Sequence, residues 1–525
     1  MNSRTEPLVL NLLLLREKTG TYTARYMTPR PPTERMTPEP PATSDASVAS
    51  KSLSKVAVLR AAQYPFIIIF ALLVPRMMGP DTYGRYALFV SLIGMIDAFL
   101  DPGMAEISAR VVPELQQLRN EAGIRTFFSR MLGFKIAVDL LLGLVAVVAL
   151  RLIFPDVVAP TFLWLIILAV FVGDLGGAAY GLLFGLNRQS LCAARDPLRR
   201  AASVSMIIVL FHMFGLKGAI FSVVLVEGLL LVINFAFVRR YVSLRELTPK
   251  WPYVAPFLRY GFLFYLSAGA TSIWQRLGNT LIGQLRGDFR QIALFDLSNQ
   301  MFLTATSFTL FVIVSLAPTF TRLRLEGKEG KLIDWSRRIL TYNEIGCMAA
   351  VAAWLLLGAD LIPILIGRQY DGLYANVAVL LCGAFPTVVI QLGLALAIAY
   401  AEPIWYFAAV CAGVVSFVVT SLVLIPANGS LGCSIATLVS CICCALVLGL
   451  RYRANMRKSL GPALKSIALG AVLLVPCWLL RGRTDRNALL LLGFLATYGS
   501  ALFVTRVIVR AEIEQLWTAL RHKSA

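Results

Sequence analysis

The sequence predicts an all-α polytopic membrane protein with about fourteen transmembrane helices, two six-helix lobes around a central cavity plus two C-terminal helices. Three observations carry this expectation. The chain of 525 residues is 58% hydrophobic and only 15% charged, with mean hydropathy +0.73, whereas a soluble domain carries about 25% charged residues. Its apolar runs recur at lengths close to the ~20 residues that a helix needs to cross ~30 Å of hydrocarbon. Lysine and arginine crowd into alternate short loops, as they do in multi-pass proteins.

Residues 1–50 are rich in Pro, Thr, Ser and Glu and read as a disordered cytoplasmic tail. The short run Leu8–Leu15 is followed by Arg16-Glu17-Lys18, not by a small-residue cleavage site, so it does not read as a signal peptide. Met27 and Met36 are alternative starts. The first hairpin then sets the pattern. The run 56–78 enters with Lys55 and Arg60, turns over Gly79-Pro80-Asp81-Thr82-Tyr83-Gly84-Arg85-Tyr86, and returns over 87–108 with Asp97 and Asp101. Further spans follow at 131–154, 162–186, 201–215, 217–238, 260–283, 291–318, 339–358, 374–399, 403–425, 431–450, 464–480 and 487–508. With the N-terminus inside, the inside segments hold roughly three times the Lys and Arg of the outside loops, which puts both termini in the cytoplasm. The last outside loop, with Arg481, Arg483 and Arg486, runs against that trend.

A repeat organises the spans. Gly215-Leu216-Lys217-Gly218, between spans five and six, returns 214 residues later as Gly429-Ser430-Leu431-Gly432, between eleven and twelve. Asp81…Ala87-Leu88-Phe89 similarly resembles Asp288…Ala293-Leu294-Phe295. Each match is offset by six spans, so the repeat is parallel, as in transporters built from two lobes around a midplane site. The expected units are an N-terminal lobe over 51–240, a C-terminal lobe over 241–455, and an added helix pair with a cytoplasmic tail over 456–525.

Net charge +20 would suit nucleic acid, but its placement in short loops explains it better, so no nucleic-acid partner is expected. The loop 320–338 carries Arg322, Arg324, Lys328, Lys331, Arg337 and Arg338, and is expected to meet anionic lipid headgroups. Nine cysteines lack metal or disulfide spacing and read as small packing residues. Two histidines are too few for a histidine metal site, and no cofactor or metal is expected.

Charges inside spans are costly and therefore informative. Arg276 lies well within span seven, with Ser272, Asn279 and Thr280 three or four residues away and Gln275 beside it. That polar stripe should face a cavity rather than lipid. Asp296, Asn299 and Gln300 make a second stripe. Arg60 is a turn inside span one, where snorkelling to the interface explains it equally well. Asp97, Asp174 and Glu227 could each bind the proton or sodium ion of a coupled cycle, or be held by a structural partner. Asp139 is four residues after Lys135, and an intrahelical pair is the simple reading.

Leu73-Val74-Pro75-Arg76-Met77-Met78-Gly79-Pro80-Asp81-Thr82-Tyr83-Gly84-Arg85-Tyr86-Ala87 resembles the first-hairpin signature of bacterial polysaccharide exporters, the O-antigen type oligosaccharide flippases. These share a superfamily with lipid II flippases and multidrug and toxic-compound extrusion transporters. Leu361-Ile362-Pro363-Ile364-Leu365-Ile366-Gly367-Arg368-Gln369-Tyr370 resembles the family's Gly-x-x-Tyr turn, and Ile425-Pro426-Ala427-Asn428-Gly429-Ser430-Leu431-Gly432 the turn before its twelfth span. Cys433 departs from the usual alanine. The resemblance covers roughly 52–510 and implies alternating access in the bacterial inner membrane. The cargo would be an oligosaccharide on undecaprenyl diphosphate, for O-antigen, exopolysaccharide or capsule, with other polysaccharide-assembly membrane proteins as candidate partners. On this reading Arg276 and Arg60 hold the diphosphate, and no enzymatic chemistry is implied. A drug–cation antiporter of the same fold is the alternative. A membrane glycan polymerase or ligase is disfavoured, because the longest outside loop, near 359–373, is short.

Overall fold

The computed structural model describes residue 59 and residues 62–100, 104–153, 160–248, 251–400, 402–481 and 487–507. The expected tail over 1–50, Arg60 and Asp101 lie outside the described residues, as do the side chains of 251–264. Fourteen α-helices form the described chain: α1 Tyr64–Met78, α2 Pro80–Leu100, α3 Met104–Gln117, α4 Glu121–Ile153, α5 Pro160–Gly185, α6 Gln189–Val238, α7 Trp251–Arg286, α8 Phe289–Leu325, α9 Glu329–Leu365, α10 Leu373–Cys382, α11 Ala384–Ala399, α12 Pro403–Arg451, α13 Arg453–Leu480 and α14 Asn487–Val504. Among the described residues seven helices are long and apolar enough to cross a membrane, and α10 and α11 form one further span bent by 41°.

Two of those seven are hairpins. α6 breaks at Gly215 (φ 60°, ψ −141°) and α12 at Gly429 (φ 57°, ψ −128°). Both conformations are left-handed and favour glycine. The second glycine of each motif is needed for a different reason: a Cβ on Gly218 would overlap the Leu210 carbonyl, and one on Gly432 the Leu424 carbonyl. The repeated Gly-x-x-Gly therefore folds each hairpin back on itself. Counting the two arms of α6 and of α12, α10 with α11 as one, and α3 apart, the described helices give fourteen helical segments. Outside these apolar spans stand α1, which is apolar but only 15 residues long, and α2, α7 and α8, and these four line the central cavity together with α6.

Two differences from expectation concern the N-terminal half. The first arm of α6 begins at Gln189, well before the expected 201. α3 fills part of what the sequence offered as a loop. Its Met104, Ile107, Val111, Val112 and Leu115 recur at helical spacing and are buried with Phe127, Phe128 and Met131 of α4 and Leu182 and Leu183 of α5. In the C-terminal half, Asp288 caps α8 by accepting from the Arg290 amide at 2.9 Å and the Gln291 amide at 3.3 Å. α13 and α14 pack on α9, with the Tyr498 hydroxyl donating to the Ser466 carbonyl at 3.1 Å.

α2 is the hinge piece between the halves, because it packs against both α7 and α8. At the end carrying the Gly79 and Gly287 turns the contact is backbone to backbone: a Cβ on Gly84 would overlap the Phe289 carbonyl. The Arg85 guanidinium stacks 4.5 Å from the Phe289 ring centroid. Tyr370, fully buried, donates its hydroxyl to the Pro75 carbonyl at 2.9 Å. The tyrosine of the Gly-x-x-Tyr turn thus ties the C-terminal half to the first hairpin.

Candidate functional site: a central cavity with three arginines

A cavity of ≈ 530 Å³ lies between α1, α2 and α6 on one side and α7 and α8 on the other. It reaches Gln63 and Tyr64 at the start of α1, away from the closed Gly79 end. Arg199, Arg200 and Arg276 line it, with Asp196, Glu227 and Asp296. The carboxylates are not equally available. Glu227, on the second arm of α6, pairs with Arg199 on the first. Asp296 accepts three hydrogen bonds, from the Tyr83 hydroxyl at 2.8 Å, Asn279 Nδ2 at 2.7 Å and Gln300 Nε2 at 2.7 Å. Tyr83 belongs to α2 and the other two to α7 and α8, so Asp296 joins the halves above the cavity.

Arg276 is placed by α2. Its guanidinium donates to the Val90 carbonyl at 3.3 Å and lies across Gly94, where a Cβ would overlap Nε and Cζ. Gly94 is the gap that lets a long cation pass along the helix face. Arg200 and Arg276 make no ion pair among the described residues; the Arg200 guanidinium lies in the electrostatic field of Arg199, Asp196 and Arg276, and that of Arg276 in the field of Asp97, Arg199 and Asp296. Guanidinium groups set together in one cavity have the donor geometry to meet a multivalent anion.

Of the residues singled out from sequence, Arg276, Asp296, Gln300 and Glu227 line the cavity. The rest of the α7 stripe packs between helices: Ser272 faces the Gly94 carbonyl at 3.5 Å, Thr280 the Met95 sulfur at 3.2 Å, and Asn279 the Ser91 hydroxyl at 2.8 Å. Asn299 donates to the Gln275 carbonyl at 3.2 Å, and the Gln275 side chain is exposed. Asp97 is exposed on α2 and acts electrostatically on Arg199 and Arg276. Beyond the i, i+4 spacing of Lys135 with Asp139, the structure shows a pair across helices. Lys135 of α4 bonds Asp174 of α5 and donates to the Leu100 carbonyl at 3.2 Å, and Asp139 borders the same group. Arg199 and Arg200 have the look of loop charges in the sequence, and the early start of α6 moves them into the cavity. Of the 320–338 cations, Arg324 is turned inward, donating to the Ala399 carbonyl at 2.8 Å over the Tyr400 ring.

Fold and cavity together define a multi-pass membrane protein with a polar cavity among its central helices. Residues 51–324 match the family described as "Polysaccharide biosynthesis protein". The chain belongs to that family. No curated protein matches it in sequence. Among solved structures, it is similar to the lipid II flippase MurJ in an inward closed conformation, with TM-score 0.62, 12% identity, and coverage of 88% of this chain and 99% of that one. It is also similar to a multidrug resistance MATE family transporter of the MOP superfamily in an inward-facing conformation, with TM-score 0.61, 18% identity, and coverage of 76% and 94%. A point mutant of the Vibrio cholerae MATE transporter VcmN gives TM-score 0.50 at 15% identity over 78% and 98%. The likeness at these identities is one of fold.

Proposed function

We propose that the chain flips an undecaprenyl-diphosphate-linked oligosaccharide from the cytoplasmic to the periplasmic face of the bacterial inner membrane, for surface polysaccharide such as O-antigen, exopolysaccharide or capsule. The observation that carries this reading is the pair Arg200 and Arg276, one from each half, sharing a cavity with no ion-pair partner of their own among the described residues. A diphosphate between them would bridge the halves. The polyprenyl tail can stay in the bilayer while ≈ 530 Å³ admits the diphosphate and the first sugars. A drug–cation antiporter needs an available acid instead; Glu227 is held by Arg199 and Asp296 by three donors, which leaves Asp196, set beside Arg199 and Arg200, as the acid such a cargo would have to use. The polysaccharide biosynthesis family supports the glycan, and a lipid II flippase of the same fold supports the lipid carrier.

A proton or sodium ion drives the cycle. Asp174 is the coupling position, because Asp174 and Asp139 set two carboxyls beside one ammonium, Lys135, in a site that is 1–4% exposed. With the cavity open at the start of α1, this state faces the cytoplasm.

The test is the lipid-linked sugar that accumulates on the cytoplasmic face of a deletion strain. Wild-type protein should clear it. Arg276→Ala should clear it at least about 30-fold more slowly, the equivalent of the roughly 2 kcal/mol lower limit for losing one partner of a buried charged contact. Gly94→Ala should slow clearance about tenfold or more by displacing that guanidinium, since small misplacements are costly, while thermal stability stays close to the parent. Combined with Arg276→Ala it should add little, because both changes remove one interaction. Absence of accumulated lipid together with a gain in sensitivity to cationic drugs would transfer the chain to the antiporter class.

A further inference from the structure

The α6 hairpin brings together two basic segments that are far apart in sequence. Its first arm starts beside Arg188, its second arm ends at Val238, and the break at Gly215 folds the arms antiparallel. Residue 188 and the turn Arg239–Tyr241 therefore share one end of the hairpin. Between them lies a separate cavity of ≈ 330 Å³, walled by Leu183, Leu186, Leu191, Ala236 and Phe237 and rimmed by Arg188, Arg239 and Arg240. No carboxylate is among its lining residues. Arg240 is preset: its guanidinium donates to the Tyr241 hydroxyl at 2.6 Å and lies 4.7 Å from that ring's centroid. Phe237 is 49% exposed, as a side chain turned to lipid would be, and Phe184 beside the wall is 43% exposed.

We propose that this pocket binds the phosphate headgroup of a lipid with net negative charge at the membrane edge, apart from the central cavity. The chemistry is two-sided. Three guanidinium groups with no carboxylate among the described lining residues favour a phosphate ester, which they meet with paired donors. The leucine and phenylalanine wall favours the start of an acyl or prenyl chain over water. A soluble anion would gain only the first part and a neutral lipid only the second. Juxtamembrane cations of this kind attract anionic lipid strongly enough to hold it.

The experiment is native mass spectrometry of the full-length protein in detergent, titrated with phosphatidylglycerol, phosphatidylethanolamine, a short polyprenyl diphosphate and inorganic phosphate. Wild type should retain phosphatidylglycerol or the diphosphate at least tenfold better than phosphatidylethanolamine. Arg188→Gln, Arg239→Gln and Arg240→Gln together should abolish that preference with the melting temperature unchanged. Because Arg240 also braces Tyr241, the Arg188→Gln and Arg239→Gln pair alone should reproduce most of the loss. Competition between the two anionic lipids identifies the source: preference for phosphatidylglycerol makes it a resident lipid, and preference for the diphosphate makes it a waiting site for the carrier. Equal retention of phosphatidylethanolamine, equal competition by inorganic phosphate, or unchanged retention in the triple variant would each overturn the proposal. The diphosphate titration is read in Arg276→Ala, which weakens the central site, and phosphatidylglycerol retention should be the same in that variant as in wild type, so the two assignments fail independently.

Discussion

Lys135→Met is expected to destabilise the protein by about 3–5 kcal/mol, the usual cost of removing one partner from a buried ion pair. Lys135 is 1% exposed, and its ammonium bonds Asp174 on the neighbouring helix and the Leu100 carbonyl at 3.2 Å. Methionine has nearly the same length and fills the space, so the loss would come from charge and not from a cavity. What remains is Asp174 with Asp139 beside it and the Lys135 ammonium removed. Asp174→Asn in the same chain removes one of those carboxyls and should recover more than half of the loss, measured as the thermal midpoint of purified protein. A melting temperature unchanged in Lys135→Met would show that the pair does not hold α4 to α5. The double variant also separates structure from coupling: folded but unable to drive accumulation-clearing against an imposed gradient, it would support Asp174 as the ion position. Folded and fully coupled, it would remove Asp174 from that role.

That pair also shows where sequence reading stops. Spacing of four residues allows Lys135 and Asp139 to meet on one helix, and nothing in the string prefers Asp174, thirty-nine residues on. The preference comes from packing, since α4 and α5 are pressed together and bury the ammonium between them. The same holds for Arg199 and Arg200. Four arginines within Arg188–Arg200 have the composition of a loop, so hydropathy starts the fifth span after them, although they belong to the first turns of a long helix. A cationic stretch opening a helix and a cationic loop look alike until the other arm supplies Glu227. By contrast, the glycine turns were readable because their cause is local. Gly215 and Gly429 need a left-handed backbone wherever they are, and Gly218 and Gly432 need to be small because of residues only eight positions away. Arg276 was readable for a third reason, because a charge in the middle of an apolar run has few places to go. Its neighbours Asn279 and Thr280 followed the same logic and yet pack against α2, because polar side chains can satisfy one another between helices without reaching a cavity.

Gly84→Ala is expected to open the end of the protein that is closed in this structure. The Cβ would overlap the backbone carbonyl of Phe289, and backbone, unlike a side chain, cannot swing aside. Gly94→Ala, ten residues further along the same helix, meets only the flexible end of Arg276. So one methyl group should act on the lobes at position 84 and on the site at position 94. Overpacking of this size costs roughly 1–3 kcal/mol, and that cost falls only on the conformation in which α2 and α8 touch. A difference of 1–3 kcal/mol between two states shifts their ratio about 5- to 150-fold. Tyr83 and Asp296 would part with the same motion, because their 2.8 Å bond crosses the same interface. The measurement is the rate at which a membrane-impermeant maleimide, added on the side of the Gly79 and Gly287 turns, labels Thr304→Cys in a background lacking the nine native cysteines. Labelling should be slow in the parent and at least about fivefold faster with Gly84→Ala, and Tyr83→Phe should give a smaller change in the same direction because it removes a hydrogen bond without adding a clash. If Gly84→Ala labels as slowly as the parent, the Gly84–Phe289 contact is not what keeps this end shut, and the barrier to opening would have to lie with Tyr370 and its bond to Pro75.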